Sequence, residues 1–256
     1  MTFQLSDVQQ RIVDHRQGHL RIVACPGSGK TETVSHRIAQ MIADGEKPSE
    51  IVAFTFTRKA AENLRHRIRT QLEKRSKRTD FGDMYVGTID AFCLHLIKTL
   101  RPEYKSFEIL DESKKIAFIE RWYWSIGLNE LSERDEVRKW ELIPKFNNSL
   151  DIIINERVDV AQIDDDEFVS CYNNYVQKLL DEKFFDYGSV ITTLLDIIQN
   201  DQTVAEDLSA KIKHVIFDEY QDVNLLQETL LELLSVGSKS ICVVGDDDQN
   251  IFQWRG

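Results

Sequence analysis

The stretch Ala24-Cys25-Pro26-Gly27-Ser28-Gly29-Lys30-Thr31 determines the fold class of this chain. It begins at the end of a short apolar run, 20–25, and precedes a helical pattern over 33–43. A glycine-rich turn between a strand and a helix directs backbone N–H groups at an anion, and the helix N-terminus adds partial positive charge. Lys30 would then reach the β- and γ-phosphates of a nucleotide, and Thr31 would ligate Mg²⁺. We therefore predict a phosphate-binding loop rather than a plain glycine-rich turn.

The rest of the chain alternates short apolar runs with helical patterns. Runs that are continuously apolar or β-branched, rather than alternating, are typical of strands covered on both faces of a parallel sheet. Strands that alternate with helices predict βαβ units and an α/β sheet of the nucleotide-binding type. The predicted strands are 20–25, 51–55, 84–89, 214–218 and 240–245, and the clearest helices are 33–43, 59–72 and 225–234.

Residues 102–185 have a different pattern, without β-branched runs. Their apolar residues recur at helical spacing, as at Ile116, Ile119, Trp122 and Tyr123. Aromatic residues at such spacing usually pack in a core. We predict a helical insertion over 102–185 and an α/β domain built from 1–101 plus 186–256.

Composition and charge limit the classes of function. The chain has 256 residues and a net charge of −11, with 42% hydrophobic residues. No apolar run approaches the roughly 20 residues that span a bilayer, and no signal peptide is visible, so we expect a cytoplasmic protein. The cysteines Cys25, Cys93, Cys171 and Cys242 form no C-x-x-C pair, which argues against a disulfide framework or a zinc site.

A basic run interrupts this acidic chain over residues 58–78. It could line a path for nucleic acid, or it could be a solvated helix followed by a basic loop. The run comprises Arg58, Lys59, Arg65, Arg67, Arg69, Lys74, Arg75, Lys77 and Arg78.

An acidic pair ends the fourth predicted strand. Asp218 and Glu219 follow the run 214–217, where acids also commonly end strands or cap the next helix. Together with a phosphate-binding loop, the pair indicates a division of labour. Asp218 would hold Mg²⁺, and Glu219 would activate the attacking water.

The last predicted strand leads into Gly245-Asp246-Asp247-Asp248-Gln249 and then Ile251-Phe252-Gln253-Trp254-Arg255-Gly256. Gln249 could hydrogen-bond the γ-phosphate or the water, and Trp254 offers a face on which a base can stack. A turn followed by a buried tryptophan is the alternative. The catalytic set predicted from the residues is thus Glu219, Asp218, Lys30 and Gln249.

In this order the segments resemble the UvrD/Rep helicases of superfamily 1. The stretch 5–9 is similar to the family's adenine-reading Q motif, and the loop is similar to the family's version, in which Ala24 is ordinary. Segments 55–61 and 86–92 look like motifs Ia and Ib, 218–222 like motif II, and 245–256 like motif III. The resemblance implies nucleotide contacts from Gln9, Ala24, Cys25, Pro26, Gly27, Ser28, Gly29, Lys30, Thr31, Glu32 and Arg37. It implies DNA contacts from Thr55, Phe56, Thr57, Arg58, Lys59, Thr88 and Trp254.

The resemblance implies a RecA-like domain with a parallel sheet, called 1A, and an inserted helical subdomain, called 1B. It also implies ATP and Mg²⁺ as ligands, and 3′-to-5′ translocation on single-stranded or 3′-tailed duplex DNA. A C-terminal helicase domain, 2A/2B, with its arginines would be needed for fast hydrolysis, so we expect slow turnover and no unwinding by these residues alone. The alternatives are a short nucleotide-switched binding module and a subunit of a helicase–nuclease complex for repair or defence.

Three departures from the family pattern affect these expectations. Cys25 and Pro26 should leave phosphate binding intact, because the donors in such a loop are backbone groups. Asp90 stands where many relatives carry a histidine that touches DNA, and a carboxylate there would repel phosphate. Asn63 replaces a usual acid.

Overall fold

The computed structural model describes residues 4–16, 18–76 and 81–246 of the chain. Gln249, Trp254, Lys77 and Arg78 therefore lie outside the described residues. The described part forms two compact units. Within the described ranges, one unit is drawn from residues 4–92, 198–223 and 229–246, and the other from 93–197 and 224–228.

The described chain contains seven strands and twelve α-helices. The strands are β1 Leu20–Val23, β2 Ile51–Phe54, β3 Tyr85–Gly87, β4 Glu108–Ile109, β5 Phe184–Phe185, β6 His214–Asp218 and β7 Ser240–Gly245. The helices are α1 Asp7–Asp14, α2 Lys30–Ala43, α3 Arg58–Ser76, α4 Ile89–Leu100, α5 Glu112–Arg121, α6 Tyr123–Ile126, α7 Leu128–Arg134, α8 Lys139–Asn155, α9 Asp166–Asp181, α10 Tyr187–Asn200, α11 Gln202–Lys211 and α12 Leu225–Ser235. Short 3₁₀ turns occupy Pro48–Glu50, Pro102–Tyr104, Val160–Gln162 and Tyr220–Asp222.

The first unit is built around a five-stranded sheet in which every pairing is parallel. The strand order is β1-β7-β6-β2-β3. All residues of β2 and β6 are buried, as continuously apolar strands in the middle of a sheet should be. The predicted α/β fold with a parallel sheet is confirmed, and each of the five predicted strands is present.

The core of the first unit lies between the sheet and helices α2 and α3. Val34, Ile38 and Ile42 recur at helical spacing along α2 and are buried in the same cluster as Leu64 and Ile68 of α3. A helix with one apolar stripe gains stability by placing that stripe against a sheet. This packing fixes the first turn of α2, and with it the predicted phosphate-binding loop.

The second unit is mainly helical, as predicted, with one addition. A two-residue parallel pairing joins β4 to β5, which lie far apart in sequence. Its core contains Phe118, Ile119, Phe146, Leu150 and Tyr175. The change between the two units falls inside α4 and inside α10, whereas the sequence placed boundaries at 101/102 and 185/186. The predicted division into domains stays a prediction.

The expectation that aromatic residues of the insertion are buried holds only in part. Tyr123 is buried, but Trp124 is 73% exposed and Trp140 64% exposed. Ile116, predicted to be on the apolar face of α5, is 40% exposed. Arg138 lies 5.0 Å from the Trp140 ring centroid, so a cation covers one face of that indole in place of a core.

Two findings concern the described residues of both units. None of the described helices has both the length and the apolar character that crossing a bilayer requires. Of the cysteines, Cys93, Cys171 and Cys242 are buried and Cys25 is exposed.

Candidate nucleotide-binding site

The predicted nucleotide site lies at one edge of the five-stranded sheet. Parallel strands all end at the same edge, and in open α/β sheets ligands bind outside the carboxyl ends of the strands. Because β7 lies between β1 and β6, the loop after β1 and the acids after β6 are only two strands apart. The strand order therefore brings together segments almost 200 positions apart, as the contact between Thr31 and Asp218 shows directly.

The loop after β1 has the backbone of an anion-binding turn. Gly27 and Gly29 adopt φ of 74° and 87°, in the left-handed region that favours glycine. Residues 25–28 are exposed. Gly29 is the N-cap residue of α2, and no side chain of the described residues caps the helix there. The first N–H groups of α2 therefore point at the loop. This arrangement suits a phosphate group.

The polar side chains at this edge converge. Thr31 Oγ1 donates to Asp218 Oδ2 at 3.1 Å. Lys30 Nζ lies 3.7 Å from Asp246 Oδ2 and 4.0 Å from Glu219 Oε2, with the lysine side chain 8% exposed. The structure therefore brings together Lys30, Thr31, Asp218 and Glu219, and it adds Asp246.

Two atoms in this group are buried without a hydrogen-bond partner in the described part of the chain, Lys30 Nζ and Asp218 Oδ1. Burial, with a further contribution from neighbouring Glu219, raises the pKa of Asp218 to about 6. A buried carboxylate with one oxygen that lacks a partner costs free energy unless a cation or a donor joins it. Lys30 and Asp218 are thus suited to an anion and a cation, respectively.

Residues Thr31 and Asp218 fit a magnesium ion. A hydroxyl and a carboxylate are hard oxygen ligands of the kind that Mg²⁺ takes, and it usually keeps waters and adds phosphate oxygens. Among the described residues, no group of three or more His, Cys, Asp or Glu side chains is arranged as a metal site. The fit rests on Thr31 Oγ1 and on the carboxylate of Asp218, whose Oδ1 is buried without a hydrogen-bond partner among the described residues.

Glu219 is held in a strained backbone conformation. Its φ of 64° and ψ of 46° lie in the left-handed region, which costs a non-glycine residue about 1–3 kcal/mol. Gln221 Nε2 donates to Glu219 Oε2 at 2.8 Å, and Gln221 Oε1 accepts from the backbone N–H of Asp246 at 3.0 Å. One amide thus joins the end of β6 to the end of β7.

Gly245 is required for that link. A Cβ atom added there would lie 2.9 Å from Gln221 Oε1 and 3.3 Å from its backbone nitrogen. The roles of Gln221, Gly245 and Asp246 were not predicted from the sequence, because they depend on the order of the strands. The available signal was the placement of all three at, or within a few residues after, the ends of predicted strands.

Comparison with known proteins agrees with this geometry. The family model described as the UvrD/REP helicase N-terminal domain matches residues 5–256. The chain belongs to the UvrD/Rep helicase family. Similar proteins are DNA helicase II of Haemophilus influenzae, 28% identical over 98% of this chain and 35% of that protein, and the ATP-dependent DNA helicase PcrA of Leuconostoc citreum, 30% identical over 100% of this chain and 34% of that protein. PcrA of Bacillus subtilis is also 30% identical, over 98% of this chain and 34% of its own length.

The chain therefore spans about a third of the length of these UvrD/Rep relatives. Its match to the family model extends across both units described above. The predicted family and the predicted RecA-like fold class are confirmed.

Gln9, in the stretch that resembles the family's Q motif, contacts the loop after β1. Its Nε2 donates to the backbone oxygen of Ser28 at 3.0 Å, and its Oε1 accepts from the backbone N–H of Ser6 at 2.9 Å. Ser6 and Gln9 form a capping box that starts α1. The structure thus places Gln9 beside the loop, and its contact with adenine stays a prediction.

Arg37 and Glu32 are turned away from the loop. Arg37 is fully buried, and its Nη1 donates to the backbone oxygens of Ile12 and His15. It ties the end of α1 to α2, a position that disfavours the predicted nucleotide contact. Burial lowers the pKa of Arg37. The Glu32 carboxylate contacts α3, so only its backbone remains on the loop side.

The predicted DNA contacts in this UvrD/Rep chain cluster at the neighbouring part of the same sheet edge. Phe54 of β2 pairs with Gly87 of β3, so Thr55–Lys59 and Thr88 follow adjacent strands. Thr55 is buried, Phe56 is half-buried, and Arg58 and Lys59 are exposed. Thr57 Oγ1 accepts from Ala60 N and Thr88 Oγ1 from Ala91 N, so the two threonines cap α3 and α4.

Much of the basic run contacts protein. Arg65 donates to the backbone oxygen of Val86, Arg67 pairs with Glu32, and Arg75 contacts Gln40 and His36. Arg69 lies 6.0 Å from the Phe81 ring centroid. Arg65, Arg67 and Arg75 thus have partners within the protein, whereas Arg58 and Lys59 are exposed at the start of α3, and the hypothesis that the run lines a path for nucleic acid stays a prediction.

Proposed function

We propose that this chain is the ATP-binding part of an ATP-dependent DNA helicase, and that the carboxyl edge of its sheet binds ATP with Mg²⁺. The observation that carries the proposal is the convergence of Lys30, Thr31 and Asp218, with Lys30 Nζ and Asp218 Oδ1 buried and without hydrogen-bond partners in the described chain. Ion and phosphate binding would satisfy both atoms.

Each residue has a role in this proposal. The N–H groups of the loop 24–31 and Lys30 would hold the phosphates, and Thr31 and Asp218 would hold Mg²⁺, which when bound neutralises phosphate charge. Glu219 would accept a proton from the attacking water. Its carboxylate is 37% exposed, so water reaches it, and Gln221 fixes its direction.

The DNA assignment rests on the helix that begins after β2. Helix α3 starts with Arg58 and Lys59, both exposed, and its first turn contains no acidic residue. Cations at a helix N-terminus interact unfavourably with the positive end of the helix dipole, and a bound anion would stabilise them. We propose that these residues, with Thr57 and Thr88, contact the phosphates of single-stranded DNA.

Finer parts of the proposal come from the relatives. PcrA is named as an ATP-dependent DNA helicase. From this likeness we propose 3′-to-5′ movement on single-stranded or 3′-tailed duplex DNA, and a partner domain of the 2A/2B type. We also propose Gln249 as a γ-phosphate contact, Trp254 as a base-stacking residue, and a 1A/1B division near residues 101 and 185.

The test is the variant Glu219→Gln in the intact helicase. Loss of a general base costs about 10²–10⁴ in rate, so ATP hydrolysis and strand separation should fall by at least 100-fold. Nucleotide affinity should change by less than about threefold, since the carboxylate is not a phosphate ligand. Glu232→Gln, an exposed acid on α12, is the control and should behave as wild type. Hydrolysis at the wild-type rate by Glu219→Gln would contradict the proposal.

A further inference from the structure

The carboxylate of Glu32 joins the nucleotide loop to helix α3. Glu32 is in the first turn of α2, directly after Lys30 and Thr31, yet its side chain is only 15% exposed. Arg67 Nη1 donates to Glu32 Oε2, and Gln71 Nε2 donates to Glu32 Oε1 at 2.9 Å. His36 Nε2 lies 3.4 Å from the same Oε1. The Glu32 carboxylate, although it belongs to the first turn after the loop, therefore binds side chains of α3.

This contact matters electrostatically for an anion in the loop. A lone carboxylate in the first turn of α2 would disfavour a phosphate in the loop, because a partly buried unit charge is screened less than an exposed one and acts over a longer distance. Arg67 neutralises that charge. Removal of Arg67 would leave Glu32 as an uncompensated negative charge next to Lys30, whereas removal of Glu32 would leave a positive one.

The contact also matters mechanically, because α3 is one continuous helix of 19 residues. Arg67 follows Arg58 by nine residues, which corresponds to about 14 Å along the helix axis. The exposed Arg58 and Lys59 at the start of α3 and the Glu32 anchor near its middle therefore move together. A shift of α3 on its apolar face would change the Glu32 contact and the position of the two cations at once.

We propose that the Glu32–Arg67 ion pair is a coupling element, through which nucleotide in the loop and DNA phosphate at Arg58 and Lys59 change each other's affinity. The inference rests on the proposed function, since it assumes both ligands. Such coupling is reciprocal, and typical values are about 5- to 150-fold. Glu32 and Arg67 act as positioning residues, because neither contacts the reacting atoms.

The fold should tolerate loss of the pair. Leu64, Ile68 and Leu72 of α3 are buried in the same core cluster as Val34 and Ile38. Arg75 separately ties α3 to α2, through His36 Nδ1 at 2.9 Å and through Gln40. The α2–α3 packing thus has support independent of Glu32.

The experiment measures the dissociation constant of Mg²⁺-bound AMP-PNP with and without saturating oligo(dT) at constant ionic strength. The ratio of the two constants is the coupling factor. We expect a factor of about 5 or more for the wild type, and less than about 2 for Glu32→Ala and for Arg67→Ala. Glu73→Gln removes an exposed carboxylate from the same helix and should keep the wild-type factor.

Two further variants separate coupling from a purely structural role. Arg67→Ala should weaken nucleotide binding without DNA by about threefold or more, and Glu32→Ala should not. The double variant should regain that affinity but not the coupling factor. An unchanged coupling factor in folded Glu32→Ala and Arg67→Ala would overturn the inference alone, and so would a wild-type factor near 1. Failure of the wild type to bind AMP-PNP at all would instead overturn the proposed function.

Discussion

The two ends of the five-stranded sheet differ in how their buried ionisable side chains are paired. At the amino end, His214 Nδ1 contacts Ser240 Oγ at 2.7 Å and His214 Nε2 lies 3.2 Å from Glu46 Oε2, which also pairs with Lys239 at 2.9 Å. At the carboxyl end, Lys30 Nζ lies 3.7 Å from Asp246 Oδ2 and 4.0 Å from Glu219 Oε2. Lys30 Nζ and Asp218 Oδ1, like His214 Nε2 at the amino end, have no hydrogen-bond partner among the described residues. The amino end is arranged for stability, and the carboxyl end is arranged to receive ligands.

This difference implies opposite responses to substitution. Changes at the carboxyl end should cost ligand affinity or rate with little loss of stability. Changes at the amino end should cost stability and leave ligand affinity alone. Equal responses of the two ends to substitution would contradict this comparison.

The largest effect is expected for Lys30→Met. Loss of the ammonium group removes the direct phosphate contact, and we expect Mg²⁺-ATP affinity to fall by about 100-fold, or about 2.7 kcal/mol. The free energy of unfolding should fall by less than about 2 kcal/mol, because the lost charge contacts to Asp246 and Glu219 are partly offset by removal of a buried ammonium group that has no hydrogen bond. Titration with a fluorescent nucleotide and urea unfolding measure the two quantities. Lys239→Met is the matched lysine at the amino end, and it should keep nucleotide affinity within about twofold of wild type.

A smaller effect is expected for Gln221→Ala. Without this amide the Glu219 carboxylate loses its 2.8 Å hydrogen bond, and we expect kcat of the intact helicase to fall about tenfold with KM within about twofold. Steady-state ATP hydrolysis checks the split. Gln202→Ala on α11, an exposed glutamine, serves as the control. An equal loss in both variants, or a change confined to KM, would show that Gln221 does not position Glu219.

The smallest effect is expected for His214→Gln at the amino end. Burial lowers the pKa of His214, with Glu46 opposing that shift. Below pH 6.5 His214 is protonated in the unfolded chain but stays neutral in the folded protein. His214 therefore makes the free energy of unfolding fall as pH drops from 6.5 towards the folded pKa. The variant should lose about 1 kcal/mol of unfolding free energy at pH 7.5 and show a shallower fall from pH 6.5 to 5. A parallel pH profile for wild type and variant would exclude this explanation.

Local sequence was sufficient for the elements that form the site. The loop 24–31 was predictable because its glycines, lysine and threonine follow a strand and precede a helix, and Asp218 and Glu219 because they end an apolar strand. Strands 214–218 and 240–245 were predicted with the observed bounds. The other three were predicted too long, because the apolar run continues into the residues that begin the loop or helix.

Contacts between distant segments were not predictable in this way. The position of β7 between β1 and β6 decides that Asp246 meets Lys30, and no local pattern encodes strand order. The β4–β5 pairing joins strands of two residues each, which are too short to show a pattern of alternating hydrophobic and polar residues. Arg37 and Arg67 illustrate a third limit, since composition does not show whether an arginine contacts a ligand or a backbone oxygen.

The central claim is that Asp218 is held as a buried carboxylate for a bound cation. Folding raises its pKa from 3.8 to about 6, so its charge lowers the stability of the metal-free protein as pH rises through that interval. Thermal unfolding at pH 7.5 of the wild type and of Asp218→Asn, in EDTA and then with Mg²⁺ and AMP-PNP, tests this most directly.

In EDTA the melting temperature of Asp218→Asn should exceed that of wild type by about 3–8 °C, because the variant lacks the carboxylate charge that burial and Glu219 disfavour. With Mg²⁺ and AMP-PNP at about 100 times Kd the wild type should gain about 2.7 kcal/mol, and the variant much less. Glu46→Gln, at the paired end of the sheet, should instead lower the melting temperature in EDTA. Equal melting temperatures and equal gains for wild type and Asp218→Asn would contradict the account.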